Sequence, residues 1–134
     1  MIDFQFLKTK ALPITKSKRW LEHVADEEHK TIGNISFVFC TDEYLLEKNI
    51  QFLKQETLTD VIAFDYSDKN KISGDILISI DRVKENAKIF EDTFLNELNR
   101  VMVHGLLHLL GYKDKTKKNA NEMRKKEDYY LSKI

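Results

Sequence analysis

The chain has 134 residues, a length typical of one domain, and hydrophobic types make up 42% of them, enough for one buried core. Its 22 basic and 22 acidic residues cancel, so no overall field attracts nucleic acid or an anionic membrane. A single cysteine, Cys40, excludes an internal disulfide framework, and no apolar run approaches the roughly 20 residues that span a bilayer. We expect one domain, residues 1–134, in a cytoplasmic protein without a membrane partner.

Four segments have the pattern of β-strands. Residues 2–6 alternate between apolar and polar types, which predicts a half-buried strand. Residues 34–40, 60–64 and 74–80 are rich in β-branched, aromatic or aliphatic types, and the last segment is apolar enough to be central. The polar turn between the third and fourth segments is too short for a helical crossover, so we expect that pair to be antiparallel.

Apolar residues at helical spacing predict five helices. The predicted helices are Thr15 to about His29; one capped by Thr41 or Asp42 that buries Leu45, Leu46, Ile50 and Leu53; one with Asp81 as its N-cap, running toward Phe90; one from Asp92 or Thr93 to Leu110; and Asn119 to Leu131. Strands interleaved with helices, with one antiparallel pair, predict an α+β domain with a mixed, four-stranded sheet packed against about five helices.

Two of the four histidines, His104 and His108, lie four residues apart in the longest predicted helix. Positions i and i+4 share one helix face, so both imidazoles can bind one metal ion. Apolar neighbours indicate burial, and buried imidazole nitrogens need partners. Gly111 predicts a left-handed C-cap, and a chain that reverses there can bring Asp114 beside the two rings. Three protein ligands leave a position open for water, whose pKa the ion lowers toward ~7.

A histidine pair at this spacing also arises by chance, because a buried imidazole can bond to a backbone carbonyl instead. Gly105 costs roughly 1 kcal/mol inside a helix, so its presence indicates a need for space. That space serves either close packing or a ligand that reaches the metal. Gly105 also occupies the position of the glutamate in His-Glu-x-x-His metalloproteases, which disfavours a zinc peptidase with that general base.

The stretch His104–Tyr112 closely resembles the signature of the YbeY family, with agreement at nine consecutive positions. Upstream, Thr59–Phe64 resembles the family's Thr-Asp-Val-Leu-Ser-Phe segment, Gly74–Ser79 resembles its Gly-Asp-Ile strand, and Asn49 matches the Asn of its Leu-Asn segment. The family consists of metal-dependent endoribonucleases implicated in ribosomal RNA maturation and ribosome quality control. The resemblance implies a single α+β domain, one zinc ion at the C-terminal end of the longest helix, and cleavage of single-stranded RNA. The implied partners are rRNA and the ribosome or its factors, and no DNA is expected.

The resemblance implies His104 and His108 as metal ligands and places Asp114 where the family has a third histidine. Zinc accepts a carboxylate oxygen at about the same distance as an imidazole nitrogen, although the carboxylate is harder and charged. We therefore expect a shifted metal preference. Leu53 stands where the family usually has an arginine that engages RNA phosphate. The adjacent Lys54 is the candidate substitute, although its ammonium group cannot form the bidentate hydrogen bonds that an arginine guanidinium makes with phosphate.

The segment after the motif is locally basic, and Lys113 and Lys115 are candidate contacts to an RNA backbone. Such a charge run is also typical of a solvated face, and acidic residues such as Glu127 dilute it. The resemblance adds three residues as candidates for shaping the cleft, namely Thr59, Asp60 and Asp75.

Two other functions stay open from the sequence. A metal-dependent hydrolase of a substrate other than nucleic acid is favoured by the zero net charge and by Leu53. A non-catalytic module that docks on the ribosome would use the ion structurally, with four protein ligands instead of three and a water. No side chain in the motif is an evident general base, and attack by water or by the RNA 2′-hydroxyl are both open.

Overall fold

One sheet of four strands organises the residues that the computed structural model describes, which are 1–54 and 59–134. The strands are β1 (Ile2–Phe6), β2 (Thr31–Cys40), β3 (Val61–Asp65) and β4 (Lys71–Ser79). Their order across the sheet is β1-β2-β4-β3; β1, β2 and β4 run parallel, and β3 runs antiparallel to β4. The mixed sheet, the internal position of β4 and the antiparallel pair confirm the predictions.

Five α-helices accompany this sheet in the described residues: α1 (Thr15–Glu27), α2 (Asp42–Lys48), α3 (Ile80–Ile89), α4 (Phe94–Leu109) and α5 (Lys117–Leu131). Two predicted N-caps are present, since the hydroxyl groups of Thr41 and Thr93 accept hydrogen bonds from backbone N–H groups in the first turns of α2 and α4. The predicted α+β class is confirmed. Within the same residues, no helix combines the length and the apolar character that crossing a bilayer requires.

The N-cap of α3 is Ser79, and the prediction of Asp81 was wrong. The Ser79 hydroxyl accepts a hydrogen bond from the backbone N–H of Arg82 at 3.2 Å. The Asp81 carboxylate instead accepts from the backbone N–H of Asp42 at 2.9 Å, which ties the start of α3 to the start of α2. Serine and aspartate are comparable caps, so the choice depends on where β4 ends, one residue earlier than predicted.

The chain continues from α2 into a π-helical segment, Asn49–Leu53, which the sequence pattern did not predict. The pattern placed Ile50 and Leu53 on the buried face, but they are 43% and 45% exposed. A π-helical turn holds more residues than an α-helical turn, so it rotates side chains away from the face that α-helical spacing assigns. The segment ends at Lys54, whose φ of 54° is left-handed.

The longest helix, α4, approaches the sheet closely at Gly105. A Cβ atom at this position would lie 2.6 Å from Cγ2 of Ile76 on β4. The glycine therefore permits close packing of helix on strand, which is one of the two uses predicted for it. This contact holds the C-terminal half of α4, with His104 and His108, against the sheet.

Candidate metal centre

Three acceptor atoms converge at the C-terminal end of α4. The Nε2 atoms of His104 and His108 are 3.0 Å apart, and Oδ2 of Asp114 lies 3.3 Å from the first and 3.5 Å from the second. Asp114 reaches them because the chain reverses at Gly111, whose φ of 105° favours glycine. The structure thus brings together the three side chains that were predicted as ligands.

The other ring nitrogen of each histidine already has a partner. Nδ1 of His104 lies 2.6 Å from a carboxylate oxygen of Glu127, and Nδ1 of His108 lies 3.1 Å from the backbone carbonyl oxygen of Tyr112. Both partners are acceptors, so each Nδ1 carries the proton when the ring is neutral. Each Nε2 then presents a lone pair. The two lone pairs and the Asp114 carboxylate face one another with no hydrogen between them.

A divalent cation fits this donor set. Ligand atoms roughly 2.0–2.1 Å from a tetrahedral zinc ion are about 3.3 Å apart. The three separations found here, 3.0, 3.3 and 3.5 Å, are close to that value. The alternative considered from the sequence, a bond from imidazole to a backbone carbonyl, accounts for Nδ1 of His108 but not for the facing Nε2 atoms. The residues present therefore suit a metal ion.

Nearby charges distinguish the two rings. Burial lowers the pKa of His104, but the hydrogen bond and charge of Glu127, with Asp114 and Asp60, raise it more, so this pKa lies above 6.5. Burial and the neighbouring His104 hold the pKa of His108 below 6.5. When His104 is protonated in the ion-free protein, its second proton lies on Nε2, the atom that faces the other two acceptors. A metal ion competes with that proton for the same lone pair.

Glu127 on α5 orients His104 and is itself held by Arg100. Its side chain is 7% exposed, and it accepts a hydrogen bond from the Arg100 guanidinium at 3.0 Å. A carboxylate on the far nitrogen of a ligand histidine fixes the ring and makes the ligand atom more basic. From its charge, Glu127 was predicted to dilute a solvated basic segment, and this prediction was wrong because the side chain is buried against His104. The available signal was its spacing from Met123 and Tyr130, which places it on the buried face of α5.

A second carboxylate, that of Glu28 at the end of α1, binds side chains of α5 and of the loop that carries Asp114. It accepts hydrogen bonds from the Tyr112 hydroxyl at 2.6 Å, from the Lys126 ammonium at 3.2 Å and from the Tyr130 hydroxyl. Burial raises the pKa of Glu28, but these donors lower it more, so it lies below 4.5. The end of α1, the loop after α4 and α5 are thereby joined beside the candidate centre.

The three candidate ligands line a cleft of about 690 Å³, here termed the strand-side cleft. Its other lining residues come mainly from the π-helical segment, β3 and the loop after α4, and they include Leu53, Thr59, Asp60 and Lys115. Thr59 and Asp60 therefore lie where the resemblance suggested.

Three other candidates lie outside this cleft. Lys54 and Lys113 are exposed, but neither lines the strand-side cleft. Asp75 does not line it either, since it lies on β4 in register with Phe64. Of the predicted substrate contacts, Lys115 is the one that the fold places beside the candidate ligands.

Comparison with known proteins agrees with this geometry. The family model described as Endoribonuclease YbeY matches residues 4–134. A Flavobacterium psychrophilum protein of that name is 54% identical over 130 residues, which is 97% of this chain and 89% of the relative. A Cytophaga hutchinsonii protein of the same name is 53% identical over 116 residues, 86% of this chain and 81% of the relative.

A solved structure extends the likeness to the fold. The solution structure of a Thermotoga maritima protein matches with a TM-score of 0.74 at 30% sequence identity, covering 98% of this chain and 87% of that one. The family model covers nearly the whole chain, and the relatives align over most of their own length. On this evidence the chain belongs to the YbeY family.

Proposed function

We propose that this chain performs its family's reaction, the endonucleolytic cleavage of RNA, with one divalent cation held by His104, His108 and Asp114. The family match makes the chain an endoribonuclease of ribosomal RNA processing. The observation that supports the ligand set is the convergence of three acceptor atoms, the two histidine Nε2 atoms and one Asp114 oxygen. Each imidazole is already hydrogen-bonded through its Nδ1 atom.

A divalent ion in this place would supply Lewis acidity, which activates water and screens the charge that develops on phosphate oxygens. Among the described residues the cluster contains three side chains of the ligand type, the number typical of catalytic zinc sites. Zinc suits the two nitrogen ligands. Asp114 is harder than a third histidine and adds a negative charge, so we expect the site to accept manganese more readily than a three-histidine site.

The chain's own residues position the ligands and the RNA. Glu127 holds the His104 ring, and the Tyr112 carbonyl holds the His108 ring, so both Nε2 atoms stay directed at one point. Lys115 supplies a positive charge inside the strand-side cleft, next to the place of the cleaved phosphate.

The substrate proposed here is single-stranded ribosomal RNA, met in the cytoplasm on the ribosome or its assembly factors. Lys54 and Lys113 are exposed outside the strand-side cleft, and we expect them to contact neighbouring phosphates of the bound strand. Leu53 lines the cleft with an apolar side chain where the family usually has an arginine. RNA is therefore held with fewer charge contacts, and with a smaller salt dependence, than an arginine would give.

The test combines elemental analysis of the purified protein with cleavage of a single-stranded RNA. We expect about one divalent ion per chain, cleavage that a chelator stops, and loss of both in His108→Ala. His23→Ala, on the exposed face of α1, is the matched control and should keep both. Full metal occupancy in His108→Ala would overturn the ligand set, and undiminished cleavage by that variant would identify a contaminating nuclease.

Analysis of the product ends separates the two routes of attack. A 2′,3′-cyclic phosphate forms when the RNA 2′-hydroxyl attacks, whereas attack by water gives an open terminal phosphate.

A further inference from the structure

A further cavity, of about 220 Å³, adjoins one end of the strand-side cleft. It is termed here the turn pocket, because the α1–β2 and β3–β4 turns line it together with the end of α4. Leu109 lines both cavities. Asp65, at the end of β3, pairs with Gly74, where an added Cβ atom would lie 2.9 Å from Cδ2 of Leu109. The turn pocket therefore lies where β3 ends.

Three lysines from two separate turns line the turn pocket. Lys30 directly precedes β2, Lys69 lies in the β3–β4 turn, and Lys71 begins β4. The two turns adjoin because Thr31 pairs with Lys71 in the parallel register of β2 and β4. All three lysines are exposed, and none makes an ion pair with the described residues. Ammonium groups gathered round one small cavity repel one another, and an anion bound there would relieve that repulsion.

Asp68 alone is acidic among the described residues that line the turn pocket, and the turn itself uses it. Its Oδ1 atom accepts hydrogen bonds from the backbone N–H groups of Asn70 at 2.8 Å and Lys71 at 2.9 Å. These bonds, with the charge of Lys71, lower the pKa of Asp68. The turn pocket therefore has three positive charges against one negative charge, in a chain whose net charge is zero.

The strand-side cleft itself has little positive charge with which to hold an RNA backbone. Its described lining includes Asp60, Asp65 and Asp114 but one lysine, Lys115, and Leu53 stands where the family usually has an arginine. A divalent ion would serve the cleaved phosphate. Phosphates farther along the strand need cations outside the cleft, and the turn pocket presents three of them.

The length of β3 limits how far along the RNA this contact lies. Its five residues, at about 3.3 Å each, extend about 17 Å. The candidate metal centre lies beside this strand, and the turn pocket lies at its end. Nucleotides of one strand rise about 3.4 Å each in a duplex and roughly twice that in an extended single strand. The turn pocket is therefore about two to five nucleotides from the cleaved phosphate.

We propose that the turn pocket binds a backbone phosphate of the RNA, about two to five nucleotides to one side of the cleaved bond, through Lys30, Lys69 and Lys71. This inference rests on the proposed function, because it takes single-stranded RNA as the substrate. It makes affinity depend on the length of the substrate, since a strand too short to leave the strand-side cleft cannot reach the lysines.

The first test removes two of the three charges from the metal-loaded protein. Lys69→Gln/Lys71→Gln should raise KM for an unstructured RNA of about 12 nucleotides roughly five- to tenfold, with kcat nearly unchanged. KM for a dinucleotide should change little, because its one internucleotide phosphate is the one that is cut. The matched control is Lys16→Gln/Lys133→Gln, which removes two exposed lysines of a cavity that shares no residue with the strand-side cleft or the turn pocket. It should match the wild type on both substrates.

The salt dependence of kcat/KM counts the lost contacts independently. On a logarithmic scale, affinity for a single strand falls with salt by about 0.7 per phosphate contact. The slope for the longer RNA should therefore be shallower by about 1.4 in Lys69→Gln/Lys71→Gln than in the wild type. The control variant should keep the wild-type slope. If the dinucleotide is cut too slowly to measure, this slope decides in its place.

Asp68→Asn tests the pocket in the opposite direction. The new amide keeps an oxygen that can accept from the N–H groups of Asn70 and Lys71, but the negative charge is gone. KM for the longer RNA should fall about two- to threefold. A purely structural role for these turn residues gives no such gain.

Three results would overturn the turn pocket. They are a wild-type KM and salt slope in Lys69→Gln/Lys71→Gln, an equal loss of affinity for the dinucleotide in that variant, and a KM that does not fall in Asp68→Asn. A protein that holds no metal and cuts no RNA would instead refute the proposed function.

Discussion

Replacing Glu127 by alanine tests what orients the candidate metal centre. The Glu127 carboxylate lies 2.6 Å from Nδ1 of His104 and is almost fully buried, so no water can readily take its place. Removing such a partner from a ligand histidine typically costs 10–100-fold in metal affinity, or about 1.4–2.7 kcal/mol. Glu127 also accepts from Arg100 at 3.0 Å, and loss of that charged bond should destabilise the ion-free fold by about 2–3 kcal/mol.

Glu127→Gln separates orientation from charge. Its amide oxygen can still accept the Nδ1–H of His104, but the negative charge is gone. We expect less than about tenfold loss of zinc affinity, measured by competition with a chromophoric chelator. The pKa of His104 in the ion-free protein should fall, because Glu127 supplies most of what raises it. The NMR titration of the imidazole measures this change.

The sign of the pH dependence follows from the same shift. The folded-state pKa of His104 is raised, so its contribution to ion-free stability is complete below about 6.5 and is lost as the pH rises through the raised value. Zinc must displace that proton, so its affinity should rise with pH over the same range and then level off. In Glu127→Gln the affinity should level off at a lower pH.

The control for both Glu127 variants is Glu122→Gln, at an exposed position of α5. It should match the wild type in zinc affinity and in the His104 titration. Wild-type zinc affinity in Glu127→Ala, with an unchanged His104 titration, would refute the orienting role of Glu127.

Three further substitutions test other contacts. Gly105→Ala gains about 1 kcal/mol of helix propensity but places a Cβ atom 2.6 Å from Ile76, so we expect a net loss of about 1–2 kcal/mol in urea unfolding; a gain would contradict the close contact. Glu28→Gln should cost about 2 kcal/mol at neutral pH. Because the folded-state pKa of Glu28 lies below 4.5, this cost is complete above that pH and shrinks as the pH falls through the folded value, so a difference that stays constant in acid would refute it. Leu53→Arg should tighten RNA binding and steepen its logarithmic salt dependence by about one unit, measured by fluorescence anisotropy, and an unchanged slope would show that this side chain does not reach phosphate.

Local sequence was sufficient for most of the fold because its signals act over a few residues. The short connection between β3 and β4 leaves no room for a helix, so the pair must be antiparallel. Thr41 and Thr93 precede helices and cap them. The π-helical segment was missed because the pattern assumes α-helical spacing, and that assumption put Ile50 and Leu53 on the wrong face.

The candidate site also contains some residues that the sequence could identify and others that it could not. His104 and His108 could be paired from their spacing alone, and Gly111 indicated the reversal that returns Asp114 to them. The groups that orient these side chains could not be found in this way. The contact from Glu127 to His104 depends on how α5 packs against α4, and no local pattern in either helix specifies that packing. The sequence therefore identifies candidate ligands more readily than the residues that orient them.

The charges around the centre also imply an order of binding. Glu127 is paired with Arg100, and burial raises the pKa of Asp60. The Asp114 carboxylate is therefore the main negative charge that faces the two imidazoles in the absence of a cation. A phosphate group is repelled by that charge, whereas a divalent ion is attracted to it. Lys115 and Arg124 stand at the two sides of the centre, beyond these carboxylates. We therefore expect the ion to bind first and to convert a place that repels phosphate into one that holds it. We expect Asp114 to make this dependence stronger than a histidine at the same position would, because its carboxylate adds a negative charge where the phosphate must come to lie.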